Sequence, residues 1–297
     1  GIGDNISTWS MMSYFGRLNY AFADKYLFEA NVRYDGSSRL APDKRWKAFP
    51  SVSAAWRVNQ ENFMKNFTWM SNLKLRASWG QLGNGAVLGL YDYIPTISQG
   101  DYMGQKTFYQ GSLASKDKTW ETISTTNIGV DLGLLNNRLN ATFDYYWKYN
   151  DDMLSSLQLP HTIGIGVPNV NIGKLKTWGW DFEISWKDQI KDFSYQLTFN
   201  LSDSQNKLVS YDGASVVREG NVGLLEGYEM NTIWGYKTDG YWKSREEYLA
   251  YKEAHPGYQS FNDGKVAGGD VRYLNQGEIN HQVGTGKGTK DDHGDLV

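Results

Sequence analysis

The chain has 297 residues, no cysteine, and 30 basic against 33 acidic side chains, a formal charge of −3. The missing cysteines exclude a disulfide framework, a thiolate metal site and a thiol nucleophile, and the missing basic excess argues against a nucleic-acid partner. Mean hydropathy is −0.57 and no apolar run approaches the ~18 residues of a membrane helix, yet 12 Trp, 20 Tyr and 12 Phe make the chain 15% aromatic.

Period-two patterning accounts for that mismatch. In chain order, Tyr14–Phe22 alternates weakly, and Tyr26, Phe28, Ala30, Val32 and Tyr34 then stand opposite Glu29, Asn31, Arg33 and Asp35. Val52–Val58 is another weak stretch, followed by Leu73, Leu75, Ala77 and Trp79 against Lys74, Arg76 and Ser78. Ile128–Leu134 leads into the strictest run, Leu139, Ala141, Phe143, Tyr145, Trp147 and Tyr149 against Asn140, Thr142, Asp144, Tyr146, Lys148 and Asn150. Trp178, Trp180, Phe182, Ile184 and Trp186 oppose Asp181, Glu183 and Ser185, and Tyr195, Leu197, Phe199 and Leu201 oppose Gln196, Thr198 and Asn200. Such alternation makes strands with one apolar and one wet face, and eight of them fall before about residue 205.

The connections alternate in length. Ala23-Asp24-Lys25, Leu135-Asn136-Asn137 and Asp188–Lys191 are short and rich in turn residues, and Asn59–Ser71 holds one helical turn at Gln60–Met64. Ser37–Lys47, Asn84–Thr119 and Met153–Lys174 are long. Short turns on one side and long loops on the other form the pattern of an antiparallel transmembrane β-barrel in the outer membrane, with brief periplasmic turns and long extracellular loops. Residues 1–205 then carry the strands, and 206–297 read as mostly loop with a short solvated helix near 244–253. Trp79, Trp147, Tyr149, Trp178, Trp180 and Trp186 fit a lipid-facing aromatic girdle, while Arg33, Arg76, Asp131, Asp144, Asp181 and Glu183 fit a wet lumen wall. A soluble sandwich or propeller would also alternate, so a secreted carbohydrate-binding β protein stays open as the alternative.

Catalytic chemistry is sparse. His161, His255, His281 and His293 are widely separated loop residues without metal-ligand spacing. Gly80–Gly85 follows a strand without opening a helix, which fits a flexible exit from the strand rather than a phosphate loop. The adjacent carboxylates Asp151-Asp152 and Asp291-Asp292 read as solvated. No enzyme activity, metal or cofactor is expected. Asn84, Tyr91, Asp92, Tyr93, Trp234 and Tyr236 are the candidate ligand contacts, because rings stack on sugar faces and Asp or Asn bonds hydroxyls.

Several motifs resemble SusC/RagA-type TonB-dependent transporters of Bacteroidetes. They are Tyr34–Arg39, Phe49–Arg57, Leu73–Asn84, Trp120-Glu121-Thr122, Thr126–Gly129, Asn171-Ile172-Gly173, Gly179-Trp180-Asp181 and Gly235–Gly240. The resemblance implies a plugged barrel of roughly 22 strands, the size class of large outer-membrane transporters. These residues would be about eight strands from its C-terminal half, truncated before the last strands. It also implies an energised importer of glycans or peptides, embedded in outer-membrane lipid and covered by a SusD-like surface lipoprotein. TonB would act through an N-terminal region with no counterpart here. Where such proteins often carry an Asp-rich turn, this chain has Tyr273–Asn280 without the carboxylates of a calcium loop.

Overall fold

A strand with a single apolar face is stable only beside neighbours whose apolar faces point the same way. In the computed structural model, which describes residues 6–156, 162, 164–166, 168–212, 222–233, 235–255, 258, 260 and 263–274, eight strands meet that condition. They are β1 (Met11–Phe22), β2 (Tyr26–Ser37), β3 (Trp46–Arg57), β4 (Met70–Asn84), β7 (Glu121–Leu134), β8 (Leu139–Ser156), β9 (Asn169–Ile190) and β10 (Phe193–Tyr211). The sheet runs in that order, with β5 (Thr96–Tyr102) and β6 (Gln105–Ser112) forming a separate hairpin inside the β4–β7 connection. The first of two compact units, Gly1–Asn206, holds this sheet except for the last five residues of β10.

The register keeps the alternation in phase from strand to strand. One cross-sheet row runs Leu18, Ala30, Val52, Trp79, Thr126, Trp147 and Trp178. A neighbouring row on the opposite face runs Ala21, Leu27, Ala55, Arg76, Gly129, Asp144 and Asp181. One face is therefore apolar and aromatic, with Tyr14, Leu18, Phe28, Val52, Leu75, Ile128, Phe143, Leu197 and Phe199 all exposed, and the other is polar.

The two ends of the sheet differ. At one end β1 and β2 close through Ala23 and Asp24, at φ 53° and 55°, the left-handed pair of a tight hairpin turn. Leu135, Asn136 and Asn137 turn β7 into β8 with φ of 55–59°; asparagine tolerates this region, and Leu135 is the strained member. The turn between β9 and β10 falls at Lys191–Asp192, slightly later than the sequence suggests, because β9 continues to Ile190. At the other end, Leu40, Phe49, Leu88 and Trp120 form a buried core with Leu154 against it.

Three expectations need correction. Gly80–Asn84 is no flexible exit, since β4 runs through it paired with β7 to Glu121. Gly83 is required there because a Cβ would sit 2.3 Å from the Phe49 ring. The strands span 12–22 residues, so β8 and β9 take up both ends of the predicted 153–174 loop. The 84–119 connection contains the β5–β6 hairpin.

The second unit, Lys207–Val297, has its own small core. Strands β11 (Val222–Gly223) and β12 (Thr232–Ile233) pair, as do β13 (Thr238–Tyr241) and β14 (Val271–Tyr273). Helix α1 (Arg245–Ala254) lies where the sequence places a helix, and its cap residue Ser244 accepts a hydrogen bond from Glu247 N. Trp242, Tyr248, Tyr258 and Val266 are buried together, and ring centres 5.2–6.5 Å apart meet edge to face.

A three-donor clamp pins the short-turn end. Glu61, between β3 and β4, accepts hydrogen bonds from Lys25 Nζ at 2.9 Å, Tyr26 Oη at 2.8 Å and Trp56 Nε1 at 3.2 Å. These donors, Lys25 foremost, hold its carboxyl down at about 2 from an ordinary 4.5. The clamp's stabilisation is therefore complete above the ordinary value and is lost as pH falls through about 2. The difference in unfolding midpoint between wild type and Glu61→Gln should be constant above about pH 5 and shrink below about pH 4. A pH-independent difference would show that the clamp contributes no charge-dependent stability.

Candidate functional site

The polar face carries a cross-strand ion network. Arg76 on β4 donates through Nε and Nη2 to Asp131 on β7, at 2.8–3.1 Å, and Lys74 Nζ lies 3.4 Å from the same carboxylate. Arg76 Nη2 also reaches across β7 to Asp144 Oδ2 on β8 at 3.0 Å. Gly129, between Arg76 and Asp144 in the same row, makes that crossing possible. A Cβ there would lie 2.3 Å from Asp144 Oδ1 and 2.9 Å from Arg76 Nη2. Asp181 is the next residue in the row, Glu183 faces Thr142, and Asp144 Oδ1 is buried without a hydrogen-bond partner among the described residues. A cleft of about 400 Å³ opens here, lined by Thr142, Asp144, Asp181, Glu183, Asn200 and Ser202. Arg33, farther along the polar face, pairs with Asp35 at 2.7 Å. All six charged residues singled out in the sequence thus share one face, and Arg76, Asp131, Asp144 and Asp181 converge.

On the apolar face, Trp79, Trp147 and Trp178 stand in one row, with Tyr149 one step toward the long loops, opposite Lys176. Trp180 lies one step inward opposite Tyr145, and Trp186 marks the far end opposite Leu139. These positions make a band whose height is set by β9.

The candidate ligand contacts divide. Asn84 ends β4, Tyr91, Asp92 and Tyr93 lie on the β4–β7 connection, Tyr236 belongs to the second unit and has its ring edge-on to Tyr273, and Trp234 lies outside the described residues. Asn84 Oδ1 accepts a hydrogen bond from Ala86 N, a local turn bond. The Asp92 carboxylate pairs with Lys118, only 2% exposed, and accepts from Gly89 N. With Ser115 N bonded to Asp92 O at 2.7 Å, this residue closes the neck from which the β5–β6 hairpin projects. Asp92 therefore organises the loop, which leaves exposed Tyr91 and half-buried Tyr93 as the residues available to a ligand.

Several organising residues of the long-loop end give no sequence signal of their own. Arg39 donates to the carbonyls of Gly85 and Leu88 and lies 4.1 Å above the Trp9 ring. Trp120 Nε1 donates to Arg45 O, and Asn171 bonds both Thr119 and Asp152. Arg39, Trp120 and Asn171 all sit in motifs that the sequence marks only as resemblances. Among the described residues no acidic, histidine or cysteine group has metal-holding geometry. His255 stacks on Tyr251 with ring centres 4.0 Å apart. The other three histidines, and the carboxylate-poor turn beyond Leu274, lie outside the described residues.

The Gly129 crossing gives a direct test. Gly129→Ala should push aside the flexible ends of Arg76 and Asp144, breaking their bond while sparing the Arg76–Asp131 pair. A loss of about 1 kcal/mol is expected, read as a lower temperature for loss of the compact, heat-modifiable form on gels. Combined with Asp144→Asn, it should cost much less than the sum of the two; full additivity would mean that the contact contributes nothing.

Comparison with known proteins gives one consistent answer. Residues 2–289 match the family model described as TonB dependent receptor-like, beta-barrel. TonB-dependent receptor P26 of Formosa agariphila is 34% identical over 255 residues, 81% of this chain and 26% of that protein. TonB-dependent receptor SusC of Bacteroides thetaiotaomicron is 35% identical over 213 residues, 69% of this chain and 21% of that protein. The chain thus spans about a quarter of the length of these relatives. The solved structure of the RagAB peptide transporter superposes with a TM-score of 0.72 at 25% identity, covering 80% of this chain and 26% of that one. The 'open-open' RagAB peptide importer superposes with a TM-score of 0.73 over 95% of this chain and 29% of that one, its 22% identity speaking for the fold alone. The family consists of outer-membrane receptors and transporters, not enzymes, and its place in the membrane removes the secreted, soluble alternative. The chain belongs to the TonB-dependent receptor-like β-barrel family, proteins of the outer membrane.

Proposed function

We propose that these residues form a section of the wall of an energised importer that moves an oligomeric nutrient, glycan or peptide, across the outer membrane. The observation that carries this reading is the phase-locked sheet, with a continuous apolar face, a charged opposite face, short turns at one end and cored long loops at the other. The apolar face meets lipid and the polar face lines the lumen. The short turns are periplasmic and the long loops extracellular. A SusD-like lipoprotein covers the loops, and TonB supplies the energy through a part of the protein outside this chain. The names of the relatives support the reading, since one is a SusC receptor and another a RagAB peptide transporter.

Growth of a strain lacking the gene, on single glycans and on defined peptides, separates the cargo classes. The expected result is loss of growth on one class, restored by the intact gene; unchanged growth on every oligomer would overturn the importer reading. Tyr91→Ala and Tyr93→Ala should each weaken cargo binding by about two- to ten-fold, the value of one stacked ring, with the barrel still folded. The isolated 297-residue chain is expected to show no cooperative melt, because β1 and β10 have no outer partner strand among the described residues. A sharp melt from that chain would contradict its being a section of a larger barrel.

A further inference from the structure

The apolar face of β9 reads, from the short-turn end, Trp186, Ile184, Phe182, Trp180 and Trp178, and its next two residues are Lys176 and Lys174. From Trp186 to Lys176 the strand rises about 34 Å, or about 26 Å along the axis of a barrel whose strands tilt by about 40°. That is close to the ~25 Å height of the apolar band of an outer-membrane barrel. Lys176 thus stands where hydrocarbon gives way to headgroups at the long-loop end. Its ammonium lies 5.2 Å from the Trp178 ring centre and 5.8 Å from that of Tyr149, its direct partner on β8. The Lys174 ammonium lies 5.4 Å from the same Tyr149 ring.

The two cations differ in their partners. Lys174 is paired with Asp151 at 2.7 Å, whereas among the described residues Lys176 has no hydrogen bond or carboxylate partner. At the opposite edge of the band Arg138 lies 5.5 Å over Trp186 but is paired with Asp188. An ammonium 5.2 and 5.8 Å from two ring centres keeps N–H donors on its open side for an anion. Among the described residues, Lys176 is thus the one cation over a girdle aromatic that lacks an anion.

We propose that Lys176, assisted by Lys174 and seated on Tyr149 and Trp178, is a subsite for the phosphate headgroup of an outer-leaflet lipid. The lipid's acyl chains descend along Trp178, Trp180 and Phe182. This rests on reading the apolar face as lipid-facing and the long loops as external. The headgroup oxygens take the free donors of Lys176, and the rings hold the stem in place, as expected for a long cationic side chain at a membrane interface.

The test uses the full-length protein, delipidated in mild detergent and offered bisphosphorylated lipid A, the same lipid without its phosphates, or inorganic phosphate, with adducts counted by native mass spectrometry. Wild type should retain the phosphorylated lipid over the dephosphorylated one. Lys176→Gln should weaken retention about five-fold, and Lys174→Gln with Lys176→Gln further, given the usual contribution of one basic residue at an anionic surface. Lys176→Arg should retain the lipid, and excess inorganic phosphate should not displace it. Equal retention by the double variant, equal retention of the dephosphorylated lipid, or displacement by inorganic phosphate would each overturn the subsite. Quenching of tryptophan fluorescence by brominated acyl chains in vesicles tests the lipid-facing reading separately. It should be the same in wild type and Lys176→Gln, and its absence from both would sink that reading, and the subsite with it.

Discussion

A strand that crosses hydrocarbon must bond every backbone N–H and C=O to a neighbouring strand, because no water is present to take their place. For this chain that requirement fixes the register, and the register fixes everything else. From β1 to β9 the pairing runs with few irregularities, so the alternation of seven separately written strands adds up to two continuous faces. A slip of one residue in β4 alone would carry Arg76 and Lys74 to the apolar face and Leu75, Ala77 and Trp79 to the polar one. The cost of placing cations in lipid, about 2–4 kcal/mol each at mid-depth, makes such a slip self-correcting.

The same register decides which charges can meet. Arg76 and Asp144 belong to strands that are not neighbours, and they touch only because the residue between them in their row is Gly129. Two pairs otherwise confined to adjacent strands thus become one tie across three. Each exposed pair alone would contribute little, but a bidentate arginine shared by two carboxylates adds a side-chain tie across three strands to the backbone bonds that join them. Asp181 and Glu183 extend the acidic side of this wall without a cation of their own among the described residues, which gives the cleft beside them its negative character.

Much of this architecture is legible in the sequence because a period of two is a local signal. Leu139–Asn150 states its faces without reference to any other strand, and so do Trp178–Trp186 and Tyr195–Leu201. What could not be read depends on contacts far apart in the chain. The necessity of Gly83 comes from Phe49 on another strand, and the commitment of Asp92 comes from Lys118, 26 residues on. The core of Trp242, Tyr248, Tyr258 and Val266 has no period to announce it. Tyr248 and Tyr251 meet Trp242 together because α1 sets them three residues apart on one face. Strand ends were likewise hidden, since pairing continues past the last alternating residue wherever a neighbour is there to receive it.

That overrun bears on how ligands would be met. Strand β9 has 22 residues, about 73 Å along its length and roughly 55 Å along a barrel axis, yet the apolar band takes only about 25 Å. The part from Lys176 back to Asn169 stands beyond the band, paired with β8. There Asn171 bonds the backbone of Thr119 and Asp152, and Leu154 packs against the core of Leu40, Phe49, Leu88 and Trp120. The long connections therefore rest on a rigid extension of the sheet instead of hanging from its rim. A surface built in this way would lose little conformational entropy on binding, so under the importer reading recognition at this end would be a property of the wall as much as of the loops.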